Sequence, residues 1–134
     1  MGWIVKIFLF TNFLLAKEPT TDIYTYHINL CHFLWAEDFN FQLELKENQS
    51  FYFIRKVYDS RFQKTQTAFV SGNYYISNDT LVLTPSATTH KFVTERAPLY
   101  FQIKEDKLIF IDKLELTIFP NQFTKSYKPI IPLK

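Results

Sequence analysis

His27, Cys31 and His32 are the residues in this sequence best suited to chemistry. His27 and Cys31 stand four positions apart, a spacing that places both on one face of either a strand or a helix. Imidazole nitrogen and thiolate sulfur are good ligands for zinc or copper, so the trio is a candidate metal site. On a strand His32 points to the opposite face, and no second cysteine completes a zinc-binding spacing. His90 lies far along the chain and joins only if the fold brings it close. The competing reading has His27 in solvent and Cys31 as a small, buried apolar residue. Nucleophilic catalysis by a Cys31–His pair would also need oxyanion donors, and neither a glycine-rich loop nor a Gly-x-Ser-x-Gly turn is present. Glu37-Asp38 and Glu105-Asp106 are adjacent carboxylates at expected turns, where turn chemistry accounts for them. Gly72 is the only glycine after Gly2, which leaves no phosphate-binding loop. The sequence argues against an enzyme and asks for no cofactor.

Apolar contact is the other chemistry on offer. Phe39, Phe41, Phe51, Phe53, Tyr74, Phe101 and Phe110 all sit on alternating runs and are expected to line an interior. Such a lining either packs into a filled core or surrounds a cavity for a small apolar ligand. The segment 50–58 is apolar on both faces. Phe51, Phe53 and Val57 share one face, while Tyr52, Ile54 and Tyr58 share the other. A strand of this kind is either covered twice or presents a protein-contact face, which Tyr52, Ile54 and Tyr58 would form.

The elements that hold these residues are strands. Aromatic residues make up 19% of the chain, with 15 Phe and 8 Tyr, set among Ile, Val and Thr. These side chains suit a pleated, half-buried surface. From Ile23 onward the dominant period is two. Tyr24, Tyr26, Ile28 and Leu30 alternate with polar residues, although Ile23, Tyr26, Leu30 and Phe33 also keep a roughly helical spacing. Residues 33–36 read as a turn or short helix. Phe39, Phe41, Leu43 and Leu45 form the cleanest alternation, followed by a turn at 47–49 and the strand at 50–58. A polar linker at 59–67 precedes Ala68-Phe69-Val70. Asn78-Asp79 then separates two alternating runs as a hairpin turn, with Pro85 ending the second run or marking an edge. For Gly72 the pattern suggests a positive φ or a close strand approach. After a polar connection at 86–98, Glu105-Asp106 turns a second hairpin. Leu114, Leu116 and Ile118 form a last strand. About eight strands with short connections predict an antiparallel meander closed into a small barrel, with a β-sandwich as the alternative.

Residues 1–16 place Lys6 ahead of an apolar stretch ending at Ala16, the layout of a cleavable secretory signal. The stretch is too short to span a bilayer, and the alternative is a buried first element. The organisation expected is a signal at 1–16, an N-terminal segment with the first strand at 17–38, a barrel body at 39–119 and a loose tail at 120–134. The product would be exported, periplasmic or secreted. Net charge is +2 and falls further once Lys6 is removed, so the broad positive field that draws nucleic acid is missing. Arg55, Lys56, Arg61 and Lys64 read as the basic outer face of a strand.

Two stretches resemble small exported bacterial lipocalin-like domains, which belong to the calycin type. The first has the form Gly-x-Tyr-x-Ile-x-x-Asp-Thr-Leu-x-Leu-Thr, carried here by Gly72, Tyr74, Ile76, Asp79, Thr80, Leu81, Leu83 and Thr84. The second is carried by Tyr100, Asp106 and Leu108. Trp35 stands for the early tryptophan of true lipocalins, with Phe33 where their glycine would be. The resemblance implies an antiparallel barrel open at one end, in a family where many members bind small apolar molecules. The expected function is therefore non-enzymatic binding of a small apolar ligand. A protein-interaction module using the aromatic strand is the second expectation, and a metal-binding protein the third.

Overall fold

The computed structural model describes residues 21–88, 98–111 and 119–132. The strands are β1 (Thr21–Cys31), β2 (Ala36–Lys46), β3 (Ser50–Asp59), β4 (Lys64–Ser77), β5 (Thr80–Thr88), β6 (Leu99–Lys104), β7 (Lys107–Phe110) and β8 (Gln122–Ser126). Each pairs antiparallel with the next, and β8 returns to β1 through Ile23↔Ser126, Tyr24↔Lys125 and Thr25↔Thr124. The meander closes into a barrel. An all-β barrel of eight strands is what the alternation demanded, and closure removes the sandwich alternative. No helix occurs among the described residues.

The ambiguity over residues 23–33 resolves as strand. In that form β1 forms a ladder with β2 along its whole length, from Thr21↔Lys46 to Cys31↔Ala36, which no isolated helix here could match. The supposed linker at 59–67 shrinks to a turn at 60–63, because Lys64 to Thr67 pair with Asp59 to Lys56. Their polar side chains mark a strand end at the barrel rim rather than a loop. Pro85 does not end its strand. Gly72 pairs with Pro85 and Ser71 with Ala87, so Ser86 is an extra residue in a bulge, a place where a strand tolerates proline.

The largest departure concerns the tail. Residues 122–126 form β8, the strand that closes the barrel, so this part of 120–134 is structural. The strand expected at Leu114, Leu116 and Ile118 lies outside the described residues, as do the 1–16 signal and His90.

The turns at 47–49, 78–79 and 105–106 lie at one end, here the lower end; those at 32–35 and 60–63 lie at the upper end. Gln49, Gln63, Asn78 and Glu105 have positive φ, between 49° and 67°. Asparagine is suited to this left-handed geometry, as expected at Asn78; the other three positions hold it without glycine.

Inward-facing positions of all eight strands meet in one core. Phe51, Phe53, Phe101 and Phe123 are fully buried there with Leu43, Leu81, Leu83 and Leu108. Phe119, just ahead of β8, lays its ring 4.2 Å from Phe53 and 5.9 Å from Phe101. Phe101 in turn sits 4.8 Å from Phe110. Rings at these separations touch, so the middle of the barrel is filled.

Candidate functional site

Of the seven residues expected to line an interior, Phe39, Phe41, Phe51, Phe53, Phe101 and Phe110 face inward, and Tyr74 packs at the edge of the same cluster. The central rings pack against one another, and among the described residues the space lies at the barrel ends. At the upper end a cavity of about 290 Å³ is bounded by Tyr26, Ile28, Leu30, Phe39, Phe41 and residues 119–121. Among the described residues β1 pairs with β8 over only three residues, and no other described strand lies beside the upper half of the β1–β2 hairpin. Tyr26 and Phe41 rings lie 6.0 Å apart along one wall, and Phe39 stacks on Phe41 at 6.1 Å. This is an apolar recess with Asn121 at its margin.

Arg55 is a charged residue on the inner face of β3. Register places it between Phe41 on β2 and Ala68 on β4, on the face that also carries Phe51, Phe53 and Val57. It therefore points into the barrel, not to the basic outer face expected of it. Its Nε is buried without a hydrogen-bond partner, and the side chain has no ion pair among the described residues. Burial pushes the guanidinium's pKa down. It remains a cation, since arginine holds its proton in proteins. The alternation Phe51, Phe53, Arg55, Val57 carried this signal in the sequence; counting Arg55 with its basic neighbours hid it.

Beside this region a smaller cavity of about 210 Å³ is formed by Glu37, Val57, Asp59, Arg61, Phe62, Lys64 and Gln66. At the lower end a more polar hollow of about 390 Å³ lies among Asp22, Leu45, Glu47, Gln49, Tyr74, Tyr75 and Ile76. Tyr74 donates its hydroxyl to the Lys46 carbonyl at 2.7 Å, and burial raises the hydroxyl's pKa.

No family model matches the chain, and no curated protein or solved structure matches it significantly. What the molecule does must be read from its own residues.

The metal candidates are each engaged by the protein. His27 Nε2 lies 2.5 Å from Asp38 Oδ1, and Cys31 Sγ donates to Asn29 Oδ1 at 3.1 Å. His32 contacts Glu37 at 3.2 Å and stacks on Trp35 at 3.7 Å. His27 and Cys31 do share the outer face, but the three residues are not gathered into one ligand set. Among the described residues no group of three or more His, Cys, Asp or Glu could hold a metal ion.

Asp38 is the acceptor at the centre of this outer-face cluster. The hydrogen bond from His27 holds its carboxyl below the usual range, with smaller help from Asn29 and Asn40, while burial opposes the shift. A depressed folded-state pKa contributes stability above the unfolded carboxylate range, and that stability is lost as pH falls through the folded value. Replacing His27 with alanine should move the Asp38 midpoint up toward about 3.9, the unperturbed value. Carbon-detected NMR titration of the carboxyl group checks this. Both side chains are partly solvated, so screening should keep the stability change at neutral pH below about 1 kcal/mol.

Tyr52, Ile54 and Tyr58, the expected contact face, do not form one open patch. Ile54 is buried, Tyr52 stacks on Phe69 at 6.3 Å, and only Tyr58 is exposed. On this outer face Gln42, the register partner of Ile54, bonds to the backbone of Ile130 and Ile131. The C-terminal segment therefore occupies part of the surface that a partner would have used. Among the described residues no helix is long and apolar enough to cross a membrane.

Proposed function

We propose that this protein is a non-enzymatic, exported barrel of lipocalin-like type that binds a small apolar ligand at its upper end. The observation that carries the reading is the apolar recess of about 290 Å³ walled by Tyr26, Ile28, Phe39 and Phe41. Its volume is near the lower limit of about 300 Å³ for small-molecule sites, so the ligand is compact. The filled centre confines it to the mouth. Asn121, at the margin of the recess, supplies a polar group that orients an otherwise apolar guest. Export rests on the signal-like residues 1–16, and N-terminal sequencing of the secreted product should start at Lys17.

The test uses N-phenyl-1-naphthylamine, a neutral probe that fluoresces in apolar surroundings. The wild-type protein should enhance its emission saturably. Ile28→Trp, which fills the recess from β1, should weaken binding at least tenfold while leaving the far-ultraviolet circular dichroism unchanged. Absence of saturable binding, or equal binding by the filled variant, would overturn the reading. The protein-contact alternative has less support, because Ile54 is buried and Tyr52 is stacked on Phe69.

A further inference from the structure

The upper end carries a second feature that ligand binding does not use. Phe33 and Leu34, at the turn between β1 and β2, are 97% and 85% exposed, and Phe62, at the turn between β3 and β4, is 63% exposed. Single exposed apolar residues are ordinary on a protein surface; three on adjoining turn tips are not. The two turns are fastened together. Ser60 N donates to the Ala36 carbonyl at 3.0 Å, and Ala36 N donates to Ser60 Oγ at 2.8 Å. Arg61 completes the lock, with its guanidinium carbon 3.5 Å over the Trp35 ring and 4.9 Å over that of Phe62.

We propose that this double turn is a membrane-docking tip, which inserts Phe33, Leu34 and Phe62 into the interfacial layer of a lipid bilayer. Shape decides between lipid and protein. Phe33 and Leu34, exposed over nearly all their surface, stand clear of the fold, so a protein partner would need a matching pocket for each of them. A bilayer closes around any convex apolar tip and needs none. The layer behind the tip also fits a membrane interface. Trp35, flanked by His32 and Arg61, presents an amphipathic aromatic ring and a cation at the depth where headgroups would lie. Local charges nearly balance, with Arg61 paired to Asp59 at 2.9 Å and Glu37 and Lys64 of opposite sign on the same rim. The attraction is therefore apolar, with little dependence on anionic lipid. It stands whether or not the recess beside it holds a ligand.

Sedimentation of the full chain with phosphatidylcholine vesicles, with and without phosphatidylglycerol, tests the proposal. The wild type should partition onto both, with less than about a threefold gain from the anionic lipid. The triple variant F33S/L34S/F62S should partition at least about tenfold more weakly, since it removes the inserted apolar area. Phe33 and Leu34 are almost fully exposed and Phe62 loses one ring contact with Arg61, so the melting temperature should fall by less than about 3 °C. A second measurement does not depend on that variant. Leu34→Trp should be quenched by lipids brominated in their acyl chains, in excess of the quenching shown by the native tryptophans. Failure of the wild type to bind either vesicle overturns the proposal, as does equal binding by the triple variant or binding confined to anionic vesicles and abolished by salt. A dimer that the triple variant dissolves, with no vesicle binding, would assign the tip to a protein contact instead.

Discussion

Replacing Gly72 with alanine should lower the melting temperature by roughly 10 °C, equivalent to about 3 kcal/mol in a domain of this size. The reason is spatial, because Gly72 does not have a positive φ. A Cβ at this position would lie 2.1 Å from the Thr84 carbonyl oxygen, 2.9 Å from the Pro85 Cα and 3.0 Å from Phe51 Cε1. The first two are backbone atoms of the paired strand, which cannot swing aside as a side-chain tip can. Accommodating one methyl group therefore means separating β4 from β5 beside the bulge, where the ladder already shifts register between Ser71 and Gly72. Differential scanning calorimetry checks the expectation. Pairing the change with Phe51→Leu separates the two sources of crowding. If the backbone clash dominates, the shorter side chain at 51 brings no recovery. A Gly72→Ala protein that melts within about 2 °C of the wild type would mean the strands give way without cost.

This glycine also shows how far the sequence could be read. Period-two alternation located β2, β3 and both predicted hairpins, because burial on one face of a sheet forces that pattern wherever a strand is half solvated. The same pattern indicated why Gly72 stands alone, although it left two explanations open and only the spatial one holds. The pattern failed where the environment changes without a change in composition. Lys64 to Thr67 are polar and paired, because the upper rim of a barrel is wet even where the backbone is in a ladder. Arg55 belongs to the inner face by position and to the outer face by chemistry, and position decided. Phe119 and Phe123 lay in or beside a supposed tail, yet both rings enter the core that Phe53 and Phe101 begin. Long-range returns of this kind leave no local signal. The candidate site was legible in its lining, through Phe39 and Phe41, and illegible in its opening. Among the described residues that opening follows from β8 pairing with β1 only at 23–25.

Gln42 is the strongest case of such a return, and Gln42→Ala should cost about 2–4 kcal/mol. The alternation puts Gln42 on the outer face of β2, opposite Phe41 and Leu43, where a glutamine would ordinarily be hydrated. It is instead 0% exposed. Its Oε1 accepts from the Ile130 and Ile131 amides at 2.8 and 2.9 Å, and its Nε2 donates to the Ile131 carbonyl at 2.8 Å. One side-chain amide thus serves the returning chain as a neighbouring strand would, and Ile131 is buried at that point. Alanine removes the partner of three backbone groups at once, and no smaller shift of the chain restores them. The segment after β8 should then detach, which limits the loss to the docking energy and leaves the barrel closed. Hydrogen exchange distinguishes this from global unfolding. The Ile130 and Ile131 amides should exchange far faster in the variant, while those of Leu43 and Phe53 slow or quicken only with overall stability. Gln42→Leu keeps the volume but not the hydrogen bonds, so it should behave as the alanine variant does. A leucine variant of wild-type stability would show that apolar contact, not the amide, holds the C-terminal segment against β2.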